Sequence, residues 1–417
     1  MNPKQQREVE ILSRLEAGVV DIDTAAGLLG VGVRQVRRLR AHFRQEGFAA
    51  VIHGNSGRPP PNRTGPAEQE QILALAGAGG KYHDLNVCHL QELLAQEEKI
   101  IIGRSTLDRV LKQAGLRQKV KSAPPLHRRR RLRRAAEGML LQIDGSPFDW
   151  LEGRGPKATL IGAIDDATGK ILFLHFRPSE DQIGYLLLLR TVAQRFGLPM
   201  SMYHDRHTIL RSPKQPTLEE QLAGQTPMSQ IQRIMAELGI ESIPAHSPQA
   251  KGRIERLWGT LQDRLTKELR LAGITTLVAA NAFLPSFSER YNARFAKTAW
   301  DPHSAWVPLP ADLDINYYFA IRETRKVRAD HCISFESQLM QLLPGPQDPS
   351  LVAKRVTVHV VPEGDIHLYH GKRPLAYQLV TAAEAAPLSA PNSALPPPKA
   401  VQPKAVARRR GWLYAQR

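Results

Sequence analysis

The sequence predicts a multidomain chain: all-α modules at the N-terminus, an α/β core in the middle and a small β-barrel near the C-terminus. Three observations lead there. At roughly 150 residues per domain, 417 residues make about three domains. Apolar residues recur at helical spacing through the first 116 positions, then give way near position 139 to short apolar runs separated by turns. After Trp300 the helical spacing fades, and residues 325–380 offer alternating runs such as "RVTVHVV" and "DIHLYH".

Residues 5–46 read as helices, with Asp21 or Asp23 capping a short one and "GVG", Gly30 to Gly32, turning into a helix over Val33–Gln45. Val33, Val36, Leu39 and Phe43 recur at helical spacing, while Arg34, Arg37, Arg38, Arg40 and Arg44 fall mostly elsewhere. This is a helix-turn-helix pattern over 1–52, with Arg34, Arg37 and Arg38 placed to read DNA. An ordinary helical hairpin with a solvated basic face is the competing reading. A Gly/Pro/Asn linker, 53–65, leads to a second helical module, 66–116. In its last helix Ser105 is the expected N-cap, with Asp108 at the third position. Base readout and packing are equally compatible with this module.

Residues 117–136 form a basic linker, and "HRRRRLRR" contains Arg128, Arg129, Arg130 and Arg131. Such runs are usually solvated, and they also track phosphates without reading sequence. The core, 137–300, opens with "GMLLQIDG", a strand expected to end at Asp144, followed by strand, turn and strand around Asp166–Gly169. A helix follows over Glu180–Phe196, then a fourth strand ending at Asp205, a polar insertion at 206–228, a helix at 229–238, and the strand "IESIPA". The helix begun by "HSPQAKGRIERLWGTLQDRL" closes the series. Three meandering strands followed by helix, strand, helix, strand, helix is the order of the ribonuclease H-like α/β fold. Residues 301–384 are expected to form the small β-barrel, and 385–417 a basic, Pro-rich disordered tail.

Charge narrows the partners. Lys and Arg number 57 against 40 Asp and Glu, a net charge of +17, which favours a polyanion such as double-stranded DNA. No apolar run approaches the roughly 18 residues of a membrane span, so no membrane partner is expected. No signal peptide is visible, and the two cysteines, Cys88 and Cys332, fit a reducing cytoplasm.

Asp144 and Asp205 end strands that neighbour each other in the expected fold, and Glu255 lies in the first turn of the next helix. These three acids are the expected catalytic residues and metal ligands, because hard oxygen donors suit magnesium or manganese. Two such ions, about 3.5–4 Å apart, can activate a water or 3′-hydroxyl and stabilise the leaving oxygen. Lys251, Arg253 and Arg256 flank Glu255 and are expected to reach phosphates. The alternative for this stretch is a surface helix with a Lys251–Glu255 pair. Asp149, Asp165 and Asp166 are rival acids; the last two fit a hairpin turn, where acids are common for local reasons. His204 and His207 have zinc-like spacing, but DNA contact or packing is the favoured reading.

"LLQIDGSPFDW", "AIDDATG", "YHDRHTIL", "HSPQAKGRIERLWGTLQDRL" and "ERYNARFA" together resemble DDE transposases of bacterial insertion sequences, ISNCY-type, and more distantly retroviral integrases. The resemblance runs through roughly residues 10 to 380 and is strongest in 139–300. It implies an integrase catalytic core with the acidic triad Asp144, Asp205 and Glu255. It also implies magnesium or manganese, terminal inverted repeats as the specific DNA, a target DNA, and a homo-oligomeric synaptic complex. Many relatives have a shorter spacing, which here lands on Glu241, whereas Glu255 lies 50 positions after Asp205. Glu255 is preferred because Glu241 falls in a strand just before Ile243 and Pro244, and the family's Glu belongs to the helix after "SPQAKGR". The expected function is cleavage and strand transfer by phosphodiester transesterification. The alternatives are a silent DNA-binding protein derived from a transposase, and a nuclease without strand transfer.

Overall fold

A computed structural model describes residues 3–52, 64–117, 131–205, 207–212, 221–222, 227–245, 252–343, 345 and 350–381. Most of the linker, most of the basic run including Arg128, Arg129 and Arg130, Lys251, most of the 206–228 insertion and the tail lie outside the described residues.

At the N-terminus α1 (Pro3–Glu16), α2 (Ile22–Leu29) and α3 (Val33–Glu46) surround Leu12, Ala25 and Val36. Asp21 caps α2 by accepting from the Thr24 amide at 2.7 Å, and Gly30 closes it at φ +67°, a region that favours glycine. Arg40 and Arg44 turn back to Glu16 at 2.5 and 2.7 Å. Arg34, Arg37 and Arg38 face solvent.

The next unit packs α4 (Pro66–Ala76), α5 (Val87–Gln96) and α6 (Arg104–Gln113) around Ile72, Leu90, Leu94 and Leu107. Ser105 is not the cap of α6. Gly103 occupies that position without a side-chain bond, which glycine's freedom permits, and Asp108 pairs with Lys112 at 2.5 Å.

The central sheet has the order β3-β2-β1-β4-β5, built from β1 (Leu141–Phe148), β2 (Ala158–Asp165), β3 (Ile171–Arg177), β4 (Ser201–His204) and β5 (Glu241–Pro244). Strands β1, β2 and β3 form an antiparallel meander, while β4 and β5 run parallel to β1. Helices α7 (Gln182–Phe196) and α8 (Gln230–Glu237) cover one face. Helices α9 (Gly252–Leu271) and α10 (Leu277–Phe295) cover the other, so every residue of β2 is buried. The outer edge of β3 is closed by asparagines of α10. Asn281 bonds the Phe176 amide and carbonyl at 2.7 and 3.1 Å, and Asn292 bonds those of Ile171, both at 2.8 Å.

Two boundaries differ from expectation. Strand β1 continues to Phe148, so Asp144 lies mid-strand; the hairpin with β2 carries it beyond the point where β4 stops. Helix α7 starts at Gln182, because Asp181 caps it by accepting from the Gly184 amide at 2.8 Å, leaving Glu180 outside the helix.

The α4–α6 unit rests on α9 and α10 through paired charges. Arg264 bonds Glu92, Arg294 bonds Glu92 at 2.6 Å, Arg270 bonds Asp84 at 2.6 Å, and His89 lies 3.5 Å from Glu268. Beyond the short α11 (Ile315–Tyr318) come β6 (Ile321–Lys326), β7 (Cys332–Phe335), β8 (Gln338–Leu342), β9 (Arg355–Val360), β10 (Ile366–His370), β11 (Arg373–Leu375) and β12 (Tyr377–Val380). They form two small antiparallel sheets, β11-β10-β9-β6 and β12-β8-β7, which share a core of Ile333, Met340, Val356 and Leu368. Among the described residues no helix is long and apolar enough to cross a membrane.

Candidate active site

Strand alternation sets the site. Leu141 and Ile143 face the α7 layer, so Gln142, Asp144 and Ser146 face α9. That polar row meets α9 residue by residue. The Ile254 amide donates to Gln142 Oε1 at 3.2 Å, Trp258 Nε1 donates to Asp144 Oδ2 at 3.0 Å, and Gln262 Nε2 donates to Ser146 Oγ at 3.2 Å. The indole is fixed by an edge-on contact with Trp150, centroids 6.5 Å apart.

Asp205 is brought alongside by register. In the parallel ladder Leu141 pairs with Met202 and Gln142 with Tyr203; continuing one for one brings Asp144 level with Asp205. The Asp205 carboxylate accepts from the His207 amide at 2.9 Å.

Glu255 sits in the first turn of α9, between Ile254 and Trp258, the two residues that tie this helix to β1. It is exposed, and among the described residues no donor reaches it. Glu241 opens β5 opposite Ser201, at the other end of the parallel strands from Asp205. Four residues of strand make that separation roughly 13 Å at ~3.3 Å per residue.

The remaining candidates have structural partners. Asp165 accepts from the Thr168 amide and hydroxyl, both at 2.7 Å, and from the Gly138 amide at 3.0 Å, closing the β2–β3 turn. Asp166, fully buried, binds Arg131, Arg253 at 2.6 Å, Gln142 at 2.8 Å and the Arg134 amide at 2.9 Å. A buried carboxylate needs such pairing. Arg131 and Arg253, read in the sequence as DNA contacts, therefore brace the first turn of α9 through Asp166. Arg256 is exposed and bonds the Gly252 carbonyl at 2.7 Å. Asp149 accepts from the Gly153 amide in a turn. His204 is buried against Ser242 at 2.8 Å, a packing position, and His207 is exposed.

Sequence reasoning missed three residues here. Trp258 lies on the buried stripe of α9, and only its Nε1 bond to Asp144 reveals a second task. The fully buried Tyr185 donates to Glu180 Oε1 at 2.5 Å. Burial, reinforced by the charges of Glu180, Asp144 and Asp205, pushes the Tyr185 hydroxyl well above its ordinary pKa, so it stays a donor. The helix cap Asp181 was the legible signal that Glu180 lies outside α7.

The donor set is all carboxylate oxygen, which suits a hard divalent cation held partly by water. Asp144 and Asp205 fit such an ion as neighbours on one sheet end, with Glu255 on the helix laid over it. Among the described residues no group of three or more His, Cys, Asp or Glu stands close enough to enclose a metal ion.

Comparisons with known proteins follow the same direction. The chain is 36% identical over 380 residues to the y4bF protein of Sinorhizobium fredii, named as a transposase, covering 91% of this chain and 81% of that one. It is 29% identical over 398 residues to the transposase for insertion sequence IS1202 of Streptococcus pneumoniae, covering 84% and 82%. No protein-family model matches. Among solved structures, the integrase catalytic core of HTLV-2 in complex with magnesium, in its trimeric form, aligns with 35% of this chain and 82% of its own, at 16% identity and TM-score 0.26. A simian T-cell lymphotropic virus intasome in complex with PP2A regulatory subunit B56 gamma aligns with 70% and 95%, at 14% identity and TM-score 0.30. Superpositions this loose carry no weight beside the chain's own strand order and register.

Proposed function

The chain belongs to the transposases of bacterial insertion sequences, and from that membership we propose that it cuts and joins DNA at its element's terminal inverted repeats through the triad Asp144, Asp205 and Glu255. The observation that carries the proposal is the register that brings Asp144 level with Asp205 beneath the helix bearing Glu255. The core is then a ribonuclease H-like integrase core over 137–300, followed by a C-terminal β-barrel.

Magnesium or manganese, two ions per site, would activate the attacking water or 3′-hydroxyl and stabilise the leaving oxygen. The chain's own residues do the rest. Asp144, Asp205 and Glu255 would hold the ions. Trp258 fixes one oxygen of Asp144, and Asp166 with Arg131, Arg253 and Gln142 holds the first turn of α9 so that Glu255 keeps its place over β1.

DNA is held elsewhere as well. Arg34, Arg37 and Arg38 would read the repeat in the major groove from the exposed side of α3. Lys251, Arg256 and the run Arg128, Arg129 and Arg130 would follow phosphates. Two terminal repeats and a target duplex must meet for transfer, which calls for a homo-oligomeric assembly.

The experiment supplies labelled terminal-repeat duplex and target DNA with magnesium or manganese. Wild type should cleave and join, whereas Asp144→Asn and Asp205→Asn should bind the duplex and do neither. Cleavage without joining would make the protein a nuclease. Binding without either reaction by wild type would make it a silent relative.

A further inference from the structure

Glu180 stands apart from the other acids around it. Its neighbour Asp181 caps α7 and pairs with Arg177 at 2.5 Å. Among the described residues no cation pairs with Glu180. Its Oε1 accepts instead from the buried Tyr185 hydroxyl, and its other oxygen lies against β1 at Gly145, the residue after Asp144. That approach depends on Gly145: a Cβ there would stand 2.9 Å from both the carboxylate carbon and Oε2 of Glu180. This half-buried carboxylate bonds a hydroxyl that also feels the charges of Asp144 and Asp205, so negative charge is in local excess here.

We infer that Glu180 and Tyr185 are a positioning pair for the ion bound by Asp144 and Asp205: Tyr185 fixes Glu180 against Gly145, and Glu180 steadies the ion's hydration shell. The inference rests on the proposed metal-dependent function. Glu180 acts through water and is not a ligand. Tyr185, with a single proton to give, commits it to Glu180 and leaves Glu180 Oε2 to accept from water. Carboxylate ligands are commonly oriented by such outer contacts, whose removal weakens metal affinity or activity by about 10–100-fold.

The test compares full-length wild type, Glu180→Gln and Tyr185→Phe. Four quantities are measured: melting temperature with chelator, the manganese concentration that half-saturates the melting shift without DNA, the magnesium concentration for half-maximal joining, and a chelated gel shift on terminal-repeat DNA. Glutamine can still accept from Tyr185, so Glu180→Gln should keep the chelated melting temperature and the gel shift. Both its metal half-points should rise about tenfold or more, with the joining rate recovering at high metal. Tyr185→Phe should move both half-points in the same direction by less.

Unchanged half-points in both variants would reduce the pair to a structural contact and overturn the inference. Loss of all metal response in Glu180→Gln, with normal chelated melting, would make Glu180 a ligand and overturn the positioning role. If either variant melts low with chelator, the other decides. A wild type with no manganese shift and no joining would sink the proposed function itself, and the inference with it.

Discussion

Trp258 Nε1 donates to Asp144 Oδ2 at 3.0 Å, so the α9 helix that carries Glu255 is tied to the strand that carries Asp144 by a side chain lying between them. The indole is nearly buried against Trp150 and the β2–β3 face. One residue thus combines core packing with the aim of a carboxylate.

Replacing Trp258 by Phe keeps most of the ring contact and removes the donor. A hydrogen bond to a charged group is worth about 1.5–3 kcal/mol, so the unfolding free energy from urea titration should fall by an amount in that range. Joining of terminal-repeat DNA should slow while the metal-free gel shift stays at the wild-type level. Full joining in Trp258→Phe would show that Asp144 is oriented without the indole.

Asp166 predicts a larger loss. Asp166→Ala strands Arg131 and Arg253 around a buried vacancy and leaves Gln142 without its acceptor. Breaking such a pair costs about 3–5 kcal/mol, measurable by urea denaturation. An Asp166→Ala protein with wild-type stability would mean that the arginines find other partners at no cost.

How far the site could be read in advance differs residue by residue. The placement of Asp144 and Asp205 on neighbouring strands was legible, because apolar runs end near each of them and the element order implies parallel pairing. The end of β1 was not, since "SPF" continues only because β2 pairs beyond the reach of β4. The bond from Arg253 to Asp166 was not legible, because the two stand 87 positions apart and no local pattern displays such a pairing. Glu180 was hidden by two residues of helix boundary, which Asp181 settles by capping. Ser105 was misplaced for the complementary reason: Gly103 enters α6 without a side-chain bond.

The seat of the α4–α6 unit on the core should weaken in acid. Burial pushes Glu268 up, but the His89 and Arg290 contacts more than offset it, and its pKa lies below the ordinary 4.5. Since the folded value is the lower one, its stabilisation is complete above about pH 4.5 and is lost as pH falls through the folded value. Urea midpoints between pH 6 and pH 3 should show the decline. Glu268→Gln should start less stable and flatten it. An unchanged acid slope in that variant would assign the sensitivity to other carboxylates.

The arginines of α3 should divide into two classes. Arg40 and Arg44 hold Glu16, so changing both to Ala should lower the melting temperature of the first three helices with little effect on sequence preference. Arg34, Arg37 and Arg38 face outward, and changing them together should leave melting intact while lowering the preference for terminal-repeat over random duplex. A bidentate bond to a base edge discriminates by about 1–3 kcal/mol. Competition gel shifts separate the classes, and an undiminished preference in the triple variant would remove α3 as the reader.

The choice of third carboxylate is the sharpest of these tests. Glu241 has the shorter spacing that the family resemblance offers as the rival, but it opens β5 level with Ser201, roughly 13 Å of strand from Asp205. To meet Asp144 and Asp205 it would have to cross the length of β4. Glu255 lies on the helix laid against β1, and the bonds from Ile254 to Gln142 and from Trp258 to Asp144 bracket it. Glu255→Gln should therefore abolish cleavage and joining of labelled terminal-repeat DNA in magnesium and manganese. Its stability should not fall, because the exposed side chain has no donor among the described residues to lose. Glu241→Gln should cut and join at the wild-type rate, since its side chain points to solvent at the far end of the sheet. Retained activity in Glu255→Gln together with loss in Glu241→Gln would transfer the third ligand to β5, and would require β5 to re-register against β4 by several residues when metal and DNA bind.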